Sequence, residues 1–155
     1  MGSIWFKNFM GVKQTDLQLL QVPNAAGEFG IHVTLRCVQS GTVLGSVLGA
    51  LACAFQNGSD TDMKNMKRSF VHGGCTGAMI GLIAGPLLTY WNVQQMSTLK
   101  LYDSCYRLRF DNQELNTHRS CIVGATIGTV CGGSLGFVIG VDLAKLFSTV
   151  VGGKN

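Results

Sequence analysis

The sequence predicts an all-α membrane protein, in which three glycine-ladder transmembrane helices pack as a bundle, and three observations support this class. Only 13% of the 155 residues are charged, against about 25% in an ordinary soluble domain. All charged residues lie outside three windows, residues 37–59, 69–99 and 120–141. Each window is long enough, as a helix, to cross a hydrocarbon core about 30 Å thick. The chain also has 21 glycines, and those inside the windows are regularly spaced.

A soluble helical bundle with glycine in its interior is the competing interpretation. In water each interior glycine costs a helix about 1 kcal/mol relative to alanine, so such helices would be poor. In lipid an unsatisfied backbone amide costs several kcal/mol, and a glycine-rich segment stays helical because nothing else satisfies its backbone. The composition therefore favours a membrane protein, and the lipid bilayer is an expected partner of the chain.

The chain divides into two regions. Residues 1–36 are expected to form an amphipathic N-terminal region, in which aromatic residues such as Trp5 lie beside Lys7 and other polar side chains. The first long apolar run begins only after Arg36, so we expect no removable secretory signal, and a mitochondrial address would have to be internal. Residues 37–151 are expected to form the transmembrane bundle.

Three spans are expected, over about residues 37–55, 70–91 and 120–141. The second ends on Tyr90 and Trp91, whose rings suit the headgroup level, and a polar helical loop joins spans two and three. Three crossings would place the two ends of the chain on opposite sides of the membrane. Seven basic residues on the amino-terminal side against five on the other slightly favour an amino terminus on the cytoplasmic or matrix side.

The glycines inside the spans form three ladders with a spacing of four residues. We expect the following to be helix-packing residues: Gly41, Gly45, Gly49, Gly73, Gly77, Gly81, Gly85, Gly124, Gly128, Gly132, Gly136 and Gly140. Residues four apart share one helix face, so each ladder is a groove that a neighbouring backbone can approach closely. The general abundance of glycine in membrane helices is the alternative explanation. If the ladders are packing faces, leucine in place of Gly132 should disrupt assembly. The same change at Gly133, about 100° around the helix, should be tolerated better.

Glycine-ladder spans in a small basic chain resemble the Tim17/Tim22/Tim23 superfamily of small mitochondrial membrane proteins, which includes an accessory subunit of respiratory complex I and chloroplast outer-envelope channels. The resemblance covers residues 37–144 as a pattern. The family usually has four spans, and its signature combines an Arg-x3-Asp step with a closely following glycine pair. Arg107 and Asp111 match the first half, and His118 and Arg119 stand where the glycines should follow. The resemblance implies an inner-membrane protein that works in protein import or as a structural subunit of a larger complex.

The polar stretch between spans two and three is the expected partner surface. Its candidate partner-binding residues are Tyr102, Tyr106, Arg107, Arg109 and Phe110. The spacing of the aromatic residues places them on one face of a helix, and Asp103 and Arg107 start a charge row beside them. Tyrosine and arginine are enriched at interface hot spots. The alternative is an amphipathic helix that lies on the lipid headgroups.

No metal site, cofactor or catalytic site is expected. The six cysteines include no CxxC pair and are typical of small packing residues, with a disulfide between Cys105 and Cys121 as the alternative. His32, His72 and His118 are far apart in the chain and lack acids or cysteines at ligand spacing, so hydrogen bonding near the interface explains them better than zinc. The twelve basic residues are scattered, which argues against a nucleic-acid partner.

Asp142 lies at the end of the third uncharged window, with Lys145 one turn further on. Snorkelling toward the interface is the favoured explanation of this acid. A role in ion or proton passage is the alternative, because an acid inside the bilayer is costly and is usually kept for a function.

The sequence therefore predicts a non-enzymatic structural or assembly subunit of a mitochondrial inner-membrane complex, with an accessory role of the respiratory complex I type. It would act through glycine-mediated helix packing with other membrane protein subunits or with copies of itself. The alternative function is a component of a protein translocase or small-solute channel, with polar groups on the glycine faces lining a water-filled path. The near absence of charged and amide side chains on the ladders favours packing over a pore.

Overall fold

The computed structural model describes residues 4–15, 18, 24–57 and 62–152, and this part of the chain is all-helical. Its helices are α1 (Ile4–Phe9), α2 (Ala25–Asn57), α3 (Met63–Gln95), α4 (Thr98–Phe110) and α5 (Asn112–Gly152). Three of them, α2, α3 and α5, are long and apolar enough to cross a membrane. The predicted all-helical class is confirmed for the described residues, with three helices long and apolar enough for membrane spans.

The helices extend beyond the apolar windows at their polar ends. Helix α2 begins at Ala25, so residues 25–36, which the sequence analysis placed in the N-terminal region, are the first turns of the first apolar helix. Helix α3 begins at Met63, where the Asp62 carboxylate accepts a hydrogen bond of 3.2 Å from the Lys64 amide and caps the helix. Asp111 caps α5 in the same way, through the amides of residues 113 and 114.

The glycine ladders of α2 and α3 face each other. In α2, Gly41, Gly45 and Gly49 lie against Gly77, Gly73 and Ser69 of α3, and Gly81 and Gly85 continue the contact against Cys37 and Thr34. A Cβ added to Gly45 would lie 3.1 Å from the Cα of Gly77 and would overlap the carbonyl oxygen of Gly73. The two backbones therefore touch directly, with no room for a side chain between them.

Helix α5 is not straight, because it reverses direction at Gly133. This residue has φ 57° and ψ −139°, a backbone conformation that essentially only glycine adopts. The two arms, residues 112–132 and 134–152, pack against each other as an antiparallel hairpin: Gly128 faces Gly136, and a Cβ added to Gly124 would lie 2.5 Å from the carbonyl oxygen of Gly140. The prediction of one unbroken span over 120–141 is wrong, because the third ladder folds onto itself.

The reversal also overturns the expectation for Gly132 and Gly133. Gly132 lies at the turn, and a Cβ added there would have no atom within 4 Å, so Gly132 is not a packing residue. Gly133 is the position that resists substitution, because its positive φ strains any other residue. Neither glycine packs against a neighbour, and Gly133 is the more sensitive of the two because of its backbone conformation.

Both described ends of the chain lie at the same end of the bundle. The Arg119 guanidinium donates to the carbonyl oxygens of Phe9 at 2.6 Å and Asn8 at 2.5 Å, which holds the last turn of α1 beside α5. The hydroxyls of Thr117 and Ser148 are hydrogen-bonded across the hairpin, so the second arm ends close to where the first begins. The arms span about 32 and 28 Å at 1.5 Å per residue, which is enough for each to cross the bilayer.

We predict that replacing Gly77 with alanine destabilises the α2–α3 pair, although alanine is the better helix former by about 1 kcal/mol. The added Cβ would overlap the carbonyl oxygen of Gly41 and lie 2.7 Å from its carbonyl carbon. Overpacking of this kind typically costs about 1–3 kcal/mol. Unfolding of the purified protein in detergent micelles measures the change. Gly132→Ala is the matched control and should be neutral or stabilising, so equal losses in both variants would refute the packing contact.

We also predict that both ends of the chain lie on the same side of the membrane. Of the eleven basic residues within the described part of the chain, eight lie at the end that holds α1 and α4, and Lys64, Lys67 and Arg68 lie at the other. The positive-inside rule then places the termini on the cytoplasmic or matrix side. Tags at each end, tested for protection from protease in sealed membranes, report the sides. Protection of one tag and digestion of the other would restore the three-crossing topology.

Candidate functional site

A row of buried polar side chains runs along α2 and is the most unusual feature of the bundle. The row consists of Glu28, His32, Gln39, Thr42 and Ser46. We call this row the polar seam, and we include in it the polar residues that contact it, which are Arg109 of α4 and His118, Asp142 and Lys145 of α5. Leu35 completes the row, whose steps of four and three residues define one helix face. The row is about 27 Å long at 1.5 Å per residue, close to the thickness of the hydrocarbon core.

The first contact of the seam is a buried ion pair between α2 and α4. Arg109 donates to both carboxylate oxygens of Glu28, at 2.6, 2.7 and 2.9 Å. Arg109 is only 3% exposed and Glu28 8%. A bidentate, charge-assisted pair in a dry environment has a fixed geometry, so it sets the position of α4 against α2.

Gln39 connects α2 to both arms of the α5 hairpin. Its side-chain nitrogen lies 2.9 Å from Nδ1 of His118 on the first arm, and its oxygen accepts from Nζ of Lys145 on the second arm at 3.4 Å. Donation by the amide makes Nδ1 the acceptor and leaves the ring proton on Nε2. That nitrogen lies 3.5 Å from Oε2 of Glu114, whose carboxylate also pairs with Arg36.

Asp142 meets the far end of the seam and points into the bundle. Its Oδ2 accepts a hydrogen bond of 2.7 Å from the Ser46 hydroxyl. Its Oδ1 is buried and has no hydrogen-bond partner among the described residues. The side chain is therefore directed at α2, and the favoured explanation of snorkelling toward the interface is wrong.

The seam is a set of specific polar bonds between helices that otherwise present apolar surfaces. In lipid, such groups are costly unless paired, and they normally face the interior of a bundle. Here the acids Glu28 and Glu114 each meet an arginine, and the amide of Gln39 uses both its donor and its acceptor. The seam can therefore fix the register of the hairpin on α2, and it also places an acid, two histidines and a lysine along one line.

The structure spreads the predicted site residues over several places. All the predicted packing glycines except Gly132 have a neighbouring backbone or side chain within contact distance of an added Cβ. On α4, Tyr102, Tyr106 and Phe110 are about 40% exposed (44, 39 and 43%), and the rings of the last two lie 4.7 Å apart. Arg107 is exposed and forms the expected pair with Asp103 at 3.0 Å.

Arg109 does not belong to the exposed face of α4, which corrects its predicted place among the partner-binding residues. It lies two positions after Arg107 and so points to the opposite side of the helix, toward Glu28. Its neighbours there include Leu101 and Cys105, which form a small buried cluster with Ala25. Sequence reasoning grouped the two arginines by proximity, and the helical period separates them.

All six cysteines are free thiols, including Cys105 and Cys121. Cys105 is 2% exposed and its thiol lies 3.1 Å from the carbonyl oxygen of Ala25. Burial raises the pKa of the Cys105 thiol, and the nearby Glu28 carboxylate adds to the rise. This residue therefore packs as a small neutral side chain. Among the residues described here, no group of three His, Cys, Asp or Glu is arranged to hold a metal ion.

Sequence reasoning missed the polar seam. It treated His32 and His118 as separate interfacial residues, yet their rings lie 5.4 Å apart. The available signal was the spacing of Glu28, His32 and Gln39 at the start of an apolar helix, which continues through Thr42 and Ser46. A second missed contact is Gly74, which lies off the ladder and against which the buried Val138 packs from the hairpin.

Comparison with known proteins places the chain in a family. The profile of the family described as "Protein of unknown function (DUF1757)" matches residues 5–151, so the chain belongs to this family. No curated protein matches the chain. The match covers all five helices described above, apart from the extreme ends of the first and last.

We predict that breaking the Glu28–Arg109 pair from one side, with Glu28→Gln or Arg109→Gln, lowers the free energy of unfolding by about 3–5 kcal/mol, because the other charge stays buried. Combining Glu28→Gln with Arg109→Met should recover much of the loss. Unfolding in detergent micelles is the measurement. Arg107→Met, which breaks the exposed pair with Asp103, is the control and should cost about 0–1 kcal/mol. A buried-pair variant no weaker than this control would contradict the role of the pair.

Proposed function

We propose that this member of the DUF1757 family is a non-enzymatic structural or assembly subunit of a membrane protein complex, in an accessory role in the mitochondrial inner membrane. The observation that carries the proposal is the use of polar groups within the chain. The seam residues bond to one another, and the glycine ladders pack against one another. Between the polar ends of the described helices the outward surface is apolar, and α4 adds a polar, aromatic face.

The exposed face of α4 is the proposed contact with other subunits. It presents Tyr102, Tyr106, Arg107 and Phe110 outside the three apolar helices, on an element held in place by the buried Arg109. Aromatic residues and arginine supply a large contact area with directional hydrogen bonds, as interface hot spots do. Because the Glu28–Arg109 pair fixes the opposite side of α4, the exposed face is held rigid, and this lowers the entropy cost of binding a partner.

The mitochondrial location rests on the resemblance to the Tim17/Tim22/Tim23 superfamily. That family usually has four spans, and the reversal at Gly133 gives this chain four helical segments of sufficient length: α2, α3 and the two arms of α5. The agreement in number supports the proposal, together with the glycine ladders on which the resemblance was based.

A second candidate function, a component of a translocase or small-solute channel, is favoured by one specific observation. The seam runs across most of the bilayer thickness and ends at Asp142, whose Oδ1 is buried without a hydrogen-bond partner among the described residues. An acid of this kind, in line with His118 and Lys145, is the type of group found along ion and proton paths. The path would follow the seam and would not follow the glycine faces.

We predict that the tagged chain from purified mitochondria migrates on native gels with other membrane proteins, and that Tyr106→Ala combined with Phe110→Ala weakens this association about tenfold or more. Two exposed aromatic side chains at an interface centre are worth enough for such a change. Identification of the co-migrating chains is the measurement. Steady-state levels of the variant should be unchanged, because both side chains lie outside the buried cluster.

The control removes two aromatic residues elsewhere that are even more exposed, Tyr90→Ala and Trp91→Ala, and should leave the association intact. If neither pair matters, α4 lies on lipid headgroups and contacts no subunit. Ion or proton flux across liposomes that contain the purified chain distinguishes the two candidate functions, since a structural subunit conducts no ions. Ion or proton flux that Asp142→Asn abolishes would replace the structural proposal with the channel.

A further inference from the structure

A basic pocket lies at the end of the bundle opposite the chain termini. Its volume is about 520 Å³, and it is lined by Lys64, Lys67, Arg68 and His72 of α3 and by Ser134 at the tip of the α5 hairpin. Val71 and Cys75 form the remaining wall, about one and two turns beyond Arg68 along α3. Two elements that are distant in sequence therefore build one cavity with a cationic rim and an apolar side.

Within the described part of the chain, the cations of this pocket form no ion pair with an acid. Among the residues that the structure describes, Lys64, Lys67 and Arg68 have no carboxylate within ion-pair distance. The described acid nearest to them in sequence, Asp62, caps α3 by accepting from the Lys64 amide. Three cations also sit in the first two turns of α3, where the helix dipole is already positive. This arrangement is unfavourable alone, and a bound anion would relieve it.

The position of the pocket fits a lipid better than a soluble anion. Arg68 is the last charged residue before the uncharged stretch 69–99, so the basic rim lies at the boundary of the apolar region. Past Val71 and Cys75 the exposed surface of α3 continues with Met79, Ile80 and Ile83. An anion held at the rim would thus have an apolar surface directly below it, where an acyl chain packs.

We infer that this pocket binds the phosphate headgroup of an anionic phospholipid. The ammonium groups of Lys64 and Lys67 and the guanidinium of Arg68 supply the charge, and the guanidinium can donate two parallel hydrogen bonds to one phosphate. The Ser134 hydroxyl, brought in by the reversal at Gly133, adds a donor from the facing hairpin. The lipid would join α3 to the hairpin tip, where the described contacts between the two are few.

The test is native mass spectrometry of the full chain in detergent, titrated with phosphatidylglycerol or phosphatidylcholine. The native chain should bind phosphatidylglycerol at least tenfold more tightly, since each basic residue near a membrane surface adds about a fivefold preference for anionic lipid. The variant Lys64→Gln, Lys67→Gln, Arg68→Gln should lose this preference while keeping its helical circular dichroism. A preference that survives these three changes would overturn the inference.

The control variant is Lys7→Gln, Lys13→Gln, Lys100→Gln, which removes the same charge from exposed positions at the other end of the bundle. It should retain the full preference for phosphatidylglycerol, and an equal loss in both variants would show that net charge alone decides. Inorganic phosphate added to the complex should displace little of the lipid. If phosphate displaces the lipid completely once it saturates the pocket, the acyl chains contribute nothing to binding. That result would assign the pocket to a soluble anion and overturn the lipid site.

Discussion

Direct contact between glycine backbones is the interaction on which the rest of this structure depends. Between apolar helices in lipid there is no hydrophobic drive for association, so close van der Waals contact must supply it. The α2–α3 pair and the α5 hairpin are both built this way, each with a row of glycines against a row of small residues. Each pair becomes a thin, rigid unit, and the outward faces keep the large apolar side chains that lipid requires.

The two units are joined to each other by a different kind of contact. The glycine ladders make their contacts within each helix pair. Between α2 and α5, hydrogen bonds of the polar seam connect the two pairs. Buried polar contacts add little net stability relative to apolar packing, but breaking one leaves a buried group unpaired, so they penalise a wrong register. Sliding the hairpin by one residue along α2 would separate Gln39 from both His118 and Lys145, and Ser46 from Asp142. The seam therefore specifies the arrangement, while the ladders supply the contact.

Much of this fold could be predicted from the sequence, because it depends on local pattern. The uncharged windows gave the apolar helices, and the spacing of Asp103 and Arg107 gave a real ion pair on α4. At every ladder glycine except Gly132, an added Cβ would lie within 4 Å of a neighbouring segment. The reversal at Gly133 could not be predicted in the same way. Glycines at 124, 128, 136 and 140 keep the same period whether the helix is straight or folded about 132, since periodicity carries no information on the sign of φ. The seam was hidden for another reason, because Gln39 and His118 are 79 residues apart and only the packing of two hairpins brings them together.

The reversal also decides which sites the chain can form. A straight third helix would carry Ser134 into the middle of the bilayer, far from any charge, and would leave Lys145 on the side opposite Gln39. With the fold at Gly133, the hairpin tip lies beside Lys64 and Arg68, where water and headgroups can satisfy the exposed backbone groups of the turn. The second arm then returns Asp142 and Lys145 to the seam. The reversal at Gly133 thus completes the seam with the second arm and brings Ser134 to the basic pocket at the opposite end of the bundle. Among the described residues, the seam side chains bond to other parts of the chain, whereas Lys64, Lys67 and Arg68 of the pocket form no ion pair.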